Sequence, residues 1–265
     1  ELRLQYKDYS EWQDCLIKIG KIKEQENYWL NVLDGELPIL NIPTDHIRPE
    51  IQSFKGDLVN FKIDKNDKLA LKSIALREVV TDQIIMLTIF NILLSKICGQ
   101  NDIIIGTPVG GRSHIELESI VGIFMNTIVL RNFPSESKSF LEFLKEVKEK
   151  SLKAYENQDY QFEDLVSKVL VKRNPGRNPL YDVMFEIKNV IRNNEDSYEA
   201  TSNDIDDRLN KLSDKTAQVD MYWCGADIGE YFYFTISYNT KLFKEKSIQK
   251  FVNWFKEIIE QIIND

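Results

Sequence analysis

Two continuous apolar runs constrain the fold of this chain more than any other feature. The segments DIIIGTP (residues 102–108) and NTIVLRN (residues 126–132) are apolar at successive positions, a pattern typical of strands buried on both faces of a sheet. Residues 82–97 predict a helix whose apolar surface is broad enough to be buried on most sides. The sequence therefore predicts an α/β fold, with a mixed sheet flanked by helices in one lobe.

Helices and strands follow one another along the rest of the chain. Apolar residues at three- and four-residue steps predict helices at 10–35, with Ser10 as its N-cap and Gly35 as its stop, and at 65–79, 82–97, 138–155, 161–170 and 244–263. Further strands are predicted at 57–64, 180–188, 219–227 and 231–239, with a turn around residues 225–229 between the last two. Three prolines in residues 36–50 predict an extended connector.

Composition and charge argue against several classes of function. No apolar run approaches the roughly 18 residues that span a bilayer, and the net charge of −8 argues against nucleic-acid binding. Three widely spaced cysteines, Cys15, Cys98 and Cys224, fit reduced thiols with a structural role as small buried apolar groups. We expect a cytoplasmic protein that neither enters a membrane nor binds nucleic acid.

The first apolar run leads into a glycine-rich loop. Gly106, Gly110 and Gly111 match neither a dinucleotide fingerprint nor a phosphate-binding loop, which would need a lysine where Arg112 stands. No catalytic triad, nucleophile elbow or metal-ligand spacing accompanies the loop. The glycines allow the backbone to approach another surface closely, and Pro108 stiffens the turn. Residues alone thus predict a loop built for shape, without an evident catalytic group.

Residues 190–216 are polar and contain few large apolar side chains. Such a composition is typical of a surface crossover, although an ordered binding loop remains an alternative. The sequence by itself leaves both interpretations open.

Four motifs occur in the order in which condensation domains of nonribosomal peptide synthetases carry them, and the chain resembles that family. They are YKDYSEW (6–12), IGTPVGGR with GIFMNT (105–127), NQDYQFE (157–163) and RNPGRNPLYDVMF (173–185). The connector IPTDHIRP (42–49) and the ending from ISYNTKLF (236–243) onwards are similar to the family as well. The resemblance covers essentially the whole chain.

The resemblance implies a fold like that of chloramphenicol acetyltransferase, with two lobes in a V and a tunnel between them. It also implies the joining of two carrier-bound aminoacyl or peptidyl thioesters through an amide bond. The implied partners are the N-terminal lobe of the same domain, donor and acceptor peptidyl carrier proteins, and an adjacent adenylation domain. We expect no directly bound cofactor, because the 4′-phosphopantetheine belongs to the carrier proteins.

The resemblance further implies a tunnel floor made by the glycine-rich loop. The implied floor or tunnel residues are Gly106, Thr107, Pro108, Gly110, Gly111, Arg112, Asn126 and Asp220. Arg112 is expected to anchor the loop through a charge-assisted hydrogen bond to a carboxylate, and Asn126 to bond backbone groups. Asp220 resembles the aspartate of a family strand that borders the tunnel.

The family's catalytic motif, H-H-x-x-x-D-G, does not occur in this sequence. We therefore expect residues 1–265 to form the C-terminal lobe of a condensation domain, cut from a longer polypeptide and inactive alone. Residues 1–50 would be a lead-in helix and connector, and residues 190–216 a latch towards the other lobe. Two alternatives are a non-enzymatic carrier-protein interaction module and a fragment of an epimerization domain.

Overall fold

A mixed six-stranded sheet is the centre of the described part of the chain. The computed structural model describes residues 3–112, 114–169, 174–188 and 215–264. The strands are β1 (Gly56–Ile63), β2 (Ile103–Val109), β3 (Asn126–Asn132), β4 (Val183–Lys188), β5 (Met221–Asp227) and β6 (Phe232–Asn239). Their order is β1-β6-β5-β4-β2-β3. The neighbouring strands β2, β4 and β5 run parallel, and the remaining pairs are antiparallel.

Helices flank this sheet, as predicted. In the described residues they are α1 (Tyr6–Lys18), α2 (Lys23–Val32), α3 (Lys65–Glu78), α4 (Asp82–Cys98), α5 (Phe140–Glu156), α6 (Phe162–Lys168) and α7 (Glu245–Asn264). The side chain of Thr81 accepts a hydrogen bond from the backbone of Ile84 and so begins α4, while Gly99 ends it in a left-handed conformation. Both boundaries of α4 confirm the sequence prediction.

Aromatic side chains form the core between the sheet and helices α4 and α7. Phe90 of α4 stacks on Phe185 of β4 with ring centroids 4.9 Å apart, and Trp223 of β5 lies 5.0 Å from Phe90. Phe255 of α7 contacts Trp223 from the C-terminal helix. The broad apolar surface of α4 is thus explained by contacts on several sides. Within the described residues, no single helix is long and apolar enough to cross a membrane; α3 and α4 meet that criterion only as a pair, bent by 108°.

The first predicted helix is wrong in two respects. It is broken into α1 and α2 at Gly20, which takes φ +75°, a conformation that interrupts a helix. Its start lies earlier than Ser10, because α1 begins at Tyr6, where the Gln5 backbone nitrogen donates to the Asp8 carboxylate at 2.8 Å. Ser10 is therefore an interior residue of α1 and not its N-cap.

Two smaller predictions also need correction. Gly225 lies inside β5 opposite Phe234, so the turn between β5 and β6 consists of residues 228–231 only. Cys15 is exposed on the outer surface of α1, and Cys98 and Cys224 are only partly buried. The three thiols are therefore not uniformly buried apolar groups. The predicted crossover or latch at 190–216 lies outside the described residues, apart from its last two positions.

Candidate functional site

The carboxyl-terminal half of β2 is tightly packed. A Cβ at Gly106 would lie 2.8 Å from Cδ2 and Cε2 of the Tyr181 ring, so any other residue would force that ring to move. The buried Thr107 hydroxyl donates to the Phe185 carbonyl at 3.1 Å and so links β2 to β4. Gly106 and Thr107 thus fix the packing of β2, whereas Pro108 lines an adjacent cleft.

The two glycines that follow β2 have different surroundings. Gly111 has φ +63°, and a Cβ there would lie 1.8 Å from the Phe124 carbonyl oxygen. At Gly110 no atom lies within 4 Å of the position that a Cβ would take, and φ is not positive. Of these two glycines, Gly111 alone is therefore required by the geometry of the loop.

Arg112 anchors the loop 110–125, but not in the predicted way. Its Nε donates to the Leu117 carbonyl at 3.1 Å, and a terminal nitrogen donates to the Ile120 carbonyl at 2.9 Å. The guanidinium carbon lies 4.3 Å from the centre of the Phe124 ring. No carboxylate among the described residues binds Arg112, so the prediction of such a partner is wrong there: loop carbonyls and an aromatic face occupy the guanidinium group.

Tyr6, the first residue of the motif YKDYSEW, supports the same loop from α1. Tyr6 at the start of α1 donates its hydroxyl to the Ile123 carbonyl at 2.7 Å, and its ring meets Phe124 edge-on at 5.1 Å. On the outer surface of the loop, the side chains of Val121, Ile123 and Met125 are between 70% and 90% exposed. The loop therefore combines an anchored base with an apolar outer surface.

Asn126 connects the end of this loop to the segment between α5 and α6. Its side-chain nitrogen donates to the carbonyls of Gln158 and Tyr160, each at 2.8 Å. Its side-chain oxygen accepts from the backbone nitrogen of Phe162 at 3.1 Å. The predicted bonding to backbone groups is confirmed, and it links the GIFMNT and NQDYQFE motifs.

Asp220 lies in a different environment, a buried cluster of two carboxylates and two arginines. Arg48 binds both carboxylate oxygens of Asp220, and Arg177 donates to Asp182 at 2.5 Å. Burial raises the pKa of Asp182 to about 6, and the nearby charge of Asp220 adds to the increase, while Arg177 and Arg48 oppose it. The cluster ties the proline-rich connector to the turns before β4 and β5.

The structure does not bring all the predicted site residues together. Gly106, Met184 and Tyr222 lie level with one another across the three parallel strands. Asp220 lies before this level and Gly110 beyond it, a separation of about 20 Å along the strand direction at roughly 3.3 Å per residue. Asp220 thus lies at the amino ends of the parallel strands, and the glycine-rich loop lies at their carboxyl ends.

A cleft of about 570 Å³ opens beside the carboxyl end of β2. Its lining combines the end of α3, the start of α4, the end of β2, one side chain of α5 and the end of β4. The lining residues are Lys72, Ala75, Leu76, Val80, Thr81, Asp82, Gln83, Thr107, Pro108, Tyr155, Glu186 and Ile187. Thr107 and Pro108 are the predicted site residues that reach this cleft.

Glu186 and its neighbours are polar residues of this cleft region that the sequence interpretation missed. The hydroxyl of Tyr222 donates to Glu186, and the Cys224 thiol lies 3.4 Å from the same carboxylate oxygen. Burial raises the pKa of the Cys224 thiol to about 12, and the charge of Glu186 adds to this effect. The alternation of side chains along β4 and β5 could have indicated this group in the sequence, because it puts Glu186, Tyr222 and Cys224 on one face of the sheet.

Neither histidine takes part in a catalytic arrangement within the described residues. His46 is exposed in the connector, and His114 precedes a short 3-10 helix with its ring 5.8 Å from that of Trp12. The described residues also contain no group of three His, Cys, Asp or Glu side chains placed to hold a metal ion.

Two relatives of the chain are synthases much longer than the chain itself. It is 42% identical to tyrocidine synthase 3 of Brevibacillus parabrevis over 261 residues, which is 98% of this chain and 4% of that protein. It is 39% identical to surfactin synthase subunit 1 of Bacillus subtilis (strain 168) over 261 residues, 98% of this chain and 7% of that protein. The chain thus spans less than a tenth of either relative.

Solved structures share the fold at low sequence identity. The X-domain from teicoplanin biosynthesis matches with a TM-score of 0.84 and 21% identity, over 100% of this chain and 60% of that one. A four-domain nonribosomal peptide synthetase bound to AMP and glycine matches with a TM-score of 0.81 and 22% identity, over 91% of this chain and 19% of that one. The family model described as "Condensation domain" matches residues 1–265. The chain therefore belongs to the condensation-domain family.

Proposed function

We propose that this chain forms the C-terminal lobe of a condensation domain that makes amide bonds in a nonribosomal peptide synthetase. In this reaction the amine of an acceptor thioester attacks the carbonyl carbon of a donor thioester. A C–N bond forms, the donor C–S bond breaks, and the pantetheine thiol leaves with the proton that the amine loses. The membership of the chain in the condensation-domain family supports this assignment.

The loop 110–125 is the observation that carries the proposal. Gly111, Arg112 and Phe124 hold its base, whereas Val121 and Ile123 expose apolar side chains at its outer surface. An anchored loop with an exposed apolar surface suits contact with a second lobe better than contact with solvent. We assign to this loop the floor of a substrate tunnel that the N-terminal lobe completes.

The chain's own residues are assigned positioning roles and no catalytic role. Thr107 and Pro108 line the cleft beside the loop, and Asn126 holds the end of the loop. Asp220 and Arg48 keep the connector against the opposite sheet edge. The group that handles the proton of the acceptor amine is assigned to the N-terminal lobe.

The proposed partners follow from the reaction. Two peptidyl carrier proteins would deliver the donor and acceptor as 4′-phosphopantetheine thioesters, and an adenylation domain would load the acceptor carrier. The division into a lead-in and connector at 1–50 and a latch at 190–216 stays a prediction. Equal rates of protease cleavage within 190–216, with and without the N-terminal lobe, would refute the latch.

The proposal is tested with a polypeptide that joins this chain to the N-terminal lobe of its own synthetase. Donor and acceptor aminoacyl carrier proteins are supplied, and dipeptidyl carrier protein is measured by mass spectrometry. The complete domain should form the amide and this chain alone should not. Turnover by this chain alone would refute the assignment of catalysis to the other lobe.

Two further outcomes identify the alternative functions. Exchange of the aminoacyl Cα hydrogen with solvent deuterium, without amide formation, would identify an epimerization domain. Binding of carrier proteins by the complete domain, without either reaction, would identify an interaction module.

A further inference from the structure

The proposed tunnel floor leaves one part of the cleft without a role, namely the polar group centred on Glu186. Glu186 is a lining residue of the cleft, and its side chain is 17% exposed. Tyr222 and Cys224 contact its carboxylate from β5. Tyr155 of α5 lines the same cleft, and the charge of Glu186 contributes to its raised pKa, after burial itself. The carboxylate thus accepts from one phenol, Tyr222, and a second tyrosine, Tyr155, lines the same cleft.

Charges near the cleft do not neutralise Glu186 strongly. Lys72 is held by two other carboxylates, Asp82 at 2.6 Å and Asp227 at 2.9 Å. Lys188 approaches Glu186 at 3.4 Å, but its side chain is 61% exposed, so its ammonium group can turn away into solvent. The carboxylate of Glu186 therefore remains able to attract a cation that enters the cleft.

Another part of the lining is apolar. Ala75, Leu76 and Val80 contribute it from the end of α3 and the turn after it, and Leu76 is 82% exposed. The cleft thus offers both an apolar surface and a carboxylate. A ligand with an alkyl stem and a positive end matches both features, because its stem can cover the apolar part while its charge reaches the acid.

A neutral hydrogen-bond donor lies at the same cleft. The Gln83 side-chain oxygen accepts from the Ile187 backbone nitrogen at 2.5 Å. Its side-chain nitrogen is buried and has no hydrogen-bond partner among the described residues. This nitrogen is closed to a ligand in the open cleft, so Gln83 acts by holding the start of α4 against β4 through Ile187.

We propose that this cleft selects aminoacyl substrates with a basic aliphatic side chain, and that Glu186 determines this specificity. The side-chain ammonium group binds Glu186, and the methylene groups lie along Leu76 and Ala75. This inference rests on the proposed function, because the aminoacyl group arrives as a carrier-bound thioester. Glu186 acts here in recognition and takes no part in bond formation.

Four stable probes separate the two amines that such a substrate carries. They are the pantetheine amides of Nα-acetyl-lysine, Nα-acetyl-norleucine, norleucine and lysine. The first carries only the side-chain ammonium, the second no charge, the third only the α-ammonium, and the fourth both. Binding to the chain is measured by NMR titration of its amide resonances.

The first variant is Glu186→Gln, which keeps the shape of the side chain and can still accept from Tyr222. Its matched control is Glu257→Gln, which removes one negative charge from the exposed surface of α7. We expect Glu186→Gln to weaken the Nα-acetyl-lysine probe at least about tenfold, because a charge-assisted hydrogen bond is lost. The Nα-acetyl-norleucine probe and all probes with the control variant should be unchanged.

The second variant, Leu76→Ser, tests the apolar part of the cleft at an exposed position. It should weaken the Nα-acetyl-lysine and Nα-acetyl-norleucine probes by the same factor, because both carry a similar alkyl stem. Unfolding midpoints of all variants are measured in urea, so a folding defect is recognised directly.

Two results would overturn the inference. One is equal binding of the charged and neutral acetylated probes to the wild-type chain. The other is a loss on Glu186→Gln that affects the norleucine probe but not the Nα-acetyl-lysine probe, which would assign Glu186 to the α-amine.

The same variants in the complete domain separate this inference from the proposed function. There, Glu186→Gln should raise KM for a lysyl substrate and leave kcat and the leucyl substrate unchanged. Amide formation with unchanged preference between lysyl and leucyl substrates would refute the specificity site alone. Absence of amide formation with every substrate would refute the proposed function, while the NMR titration still tests the cleft.

Discussion

Replacement of Gly111 by alanine tests whether the loop 110–125 depends on one backbone conformation. Gly111 has φ +63°, and a left-handed conformation costs a residue with a Cβ roughly 1–2 kcal/mol. The new Cβ would also lie 1.8 Å from the Phe124 carbonyl oxygen, so that carbonyl must move. Overpacking of this kind costs about 1–3 kcal/mol, and the two effects together give about 2–5 kcal/mol.

The displaced carbonyl belongs to a residue that Arg112 also uses. Arg112 packs on the Phe124 ring and donates to the carbonyls of Leu117 and Ile120. Movement of Phe124 therefore weakens the whole base of the loop. We expect Gly111→Ala to increase hydrogen exchange at the amides of residues 117–120, in addition to lowering the free energy of unfolding in urea.

Gly110→Ala is the matched control, because no atom lies within 4 Å of its Cβ position. This variant should be unchanged or slightly stabilised, since alanine restricts the unfolded chain more than glycine does. If Gly111→Ala and Gly110→Ala show the same free energy of unfolding and the same exchange rates, the reasoning from backbone conformation is refuted.

Three further variants test the buried polar contacts by equilibrium unfolding. Arg48→Met should lower the free energy of unfolding by about 3–5 kcal/mol, because it leaves the buried Asp220 carboxylate without its cation. Asn126→Ala should cost about 2–4 kcal/mol, since two carbonyls lose their donor. Asp182→Asn tests the pH dependence of stability. The pKa of Asp182 is about 6 in the folded state, raised from 3.8, so ionisation of this carboxyl group destabilises the folded wild type above pH 6. This destabilisation disappears as the pH falls towards 4, because the group is then protonated in both states. The stability of Asp182→Asn relative to wild type should therefore fall by up to about 3 kcal/mol between pH 7 and pH 3.5.

For each of these three variants, one outcome would contradict the expected effect on stability. Lys65→Met removes an exposed ion pair with Glu230 and is the control for Arg48→Met, so equal effects would contradict the role of burial. A difference between Asp182→Asn and wild type that is constant with pH would contradict the raised pKa. Wild-type stability of Asn126→Ala would mean that water replaces the amide at both carbonyls.

The sequence predicted the sheet because its signals are local. β2 and β3 are continuously apolar, and α4 is apolar nearly all round and ends at Gly99. These elements are apolar because they are buried on several sides, so their burial can be predicted from the sequence alone. The break between α1 and α2 was missed because apolar spacing continues through Gly20, and only the backbone conformation distinguishes a kink from a helix interior.

Side-chain partners were less predictable than elements. Arg112 was expected to bind a carboxylate, which is the strongest partner for a guanidinium group, but its partners are carbonyls only five and eight residues further along the chain. Those contacts depend on how the loop 110–125 folds back, and sequence spacing does not encode that. Glu186 was missed for the same reason, because its neighbours Tyr222 and Cys224 become adjacent only through the parallel pairing of β4 and β5.

Two groups of polar residues, the ion pairs around Asp220 and the residues around Glu186, lie at opposite ends of the parallel strands. This arrangement separates the residues that stabilise the fold from those to which we assign recognition. Arg48, Asp182 and Asp220 occupy the amino ends, where the ion pairs are buried and join three segments of the chain. Glu186 lies towards the carboxyl ends, beside an open cleft. In open α/β sheets, ligands bind at the carboxyl ends of the strands, because the connections diverge there. A substitution at Glu186 can therefore change what the cleft accepts without disturbing the ion pairs that hold the connector.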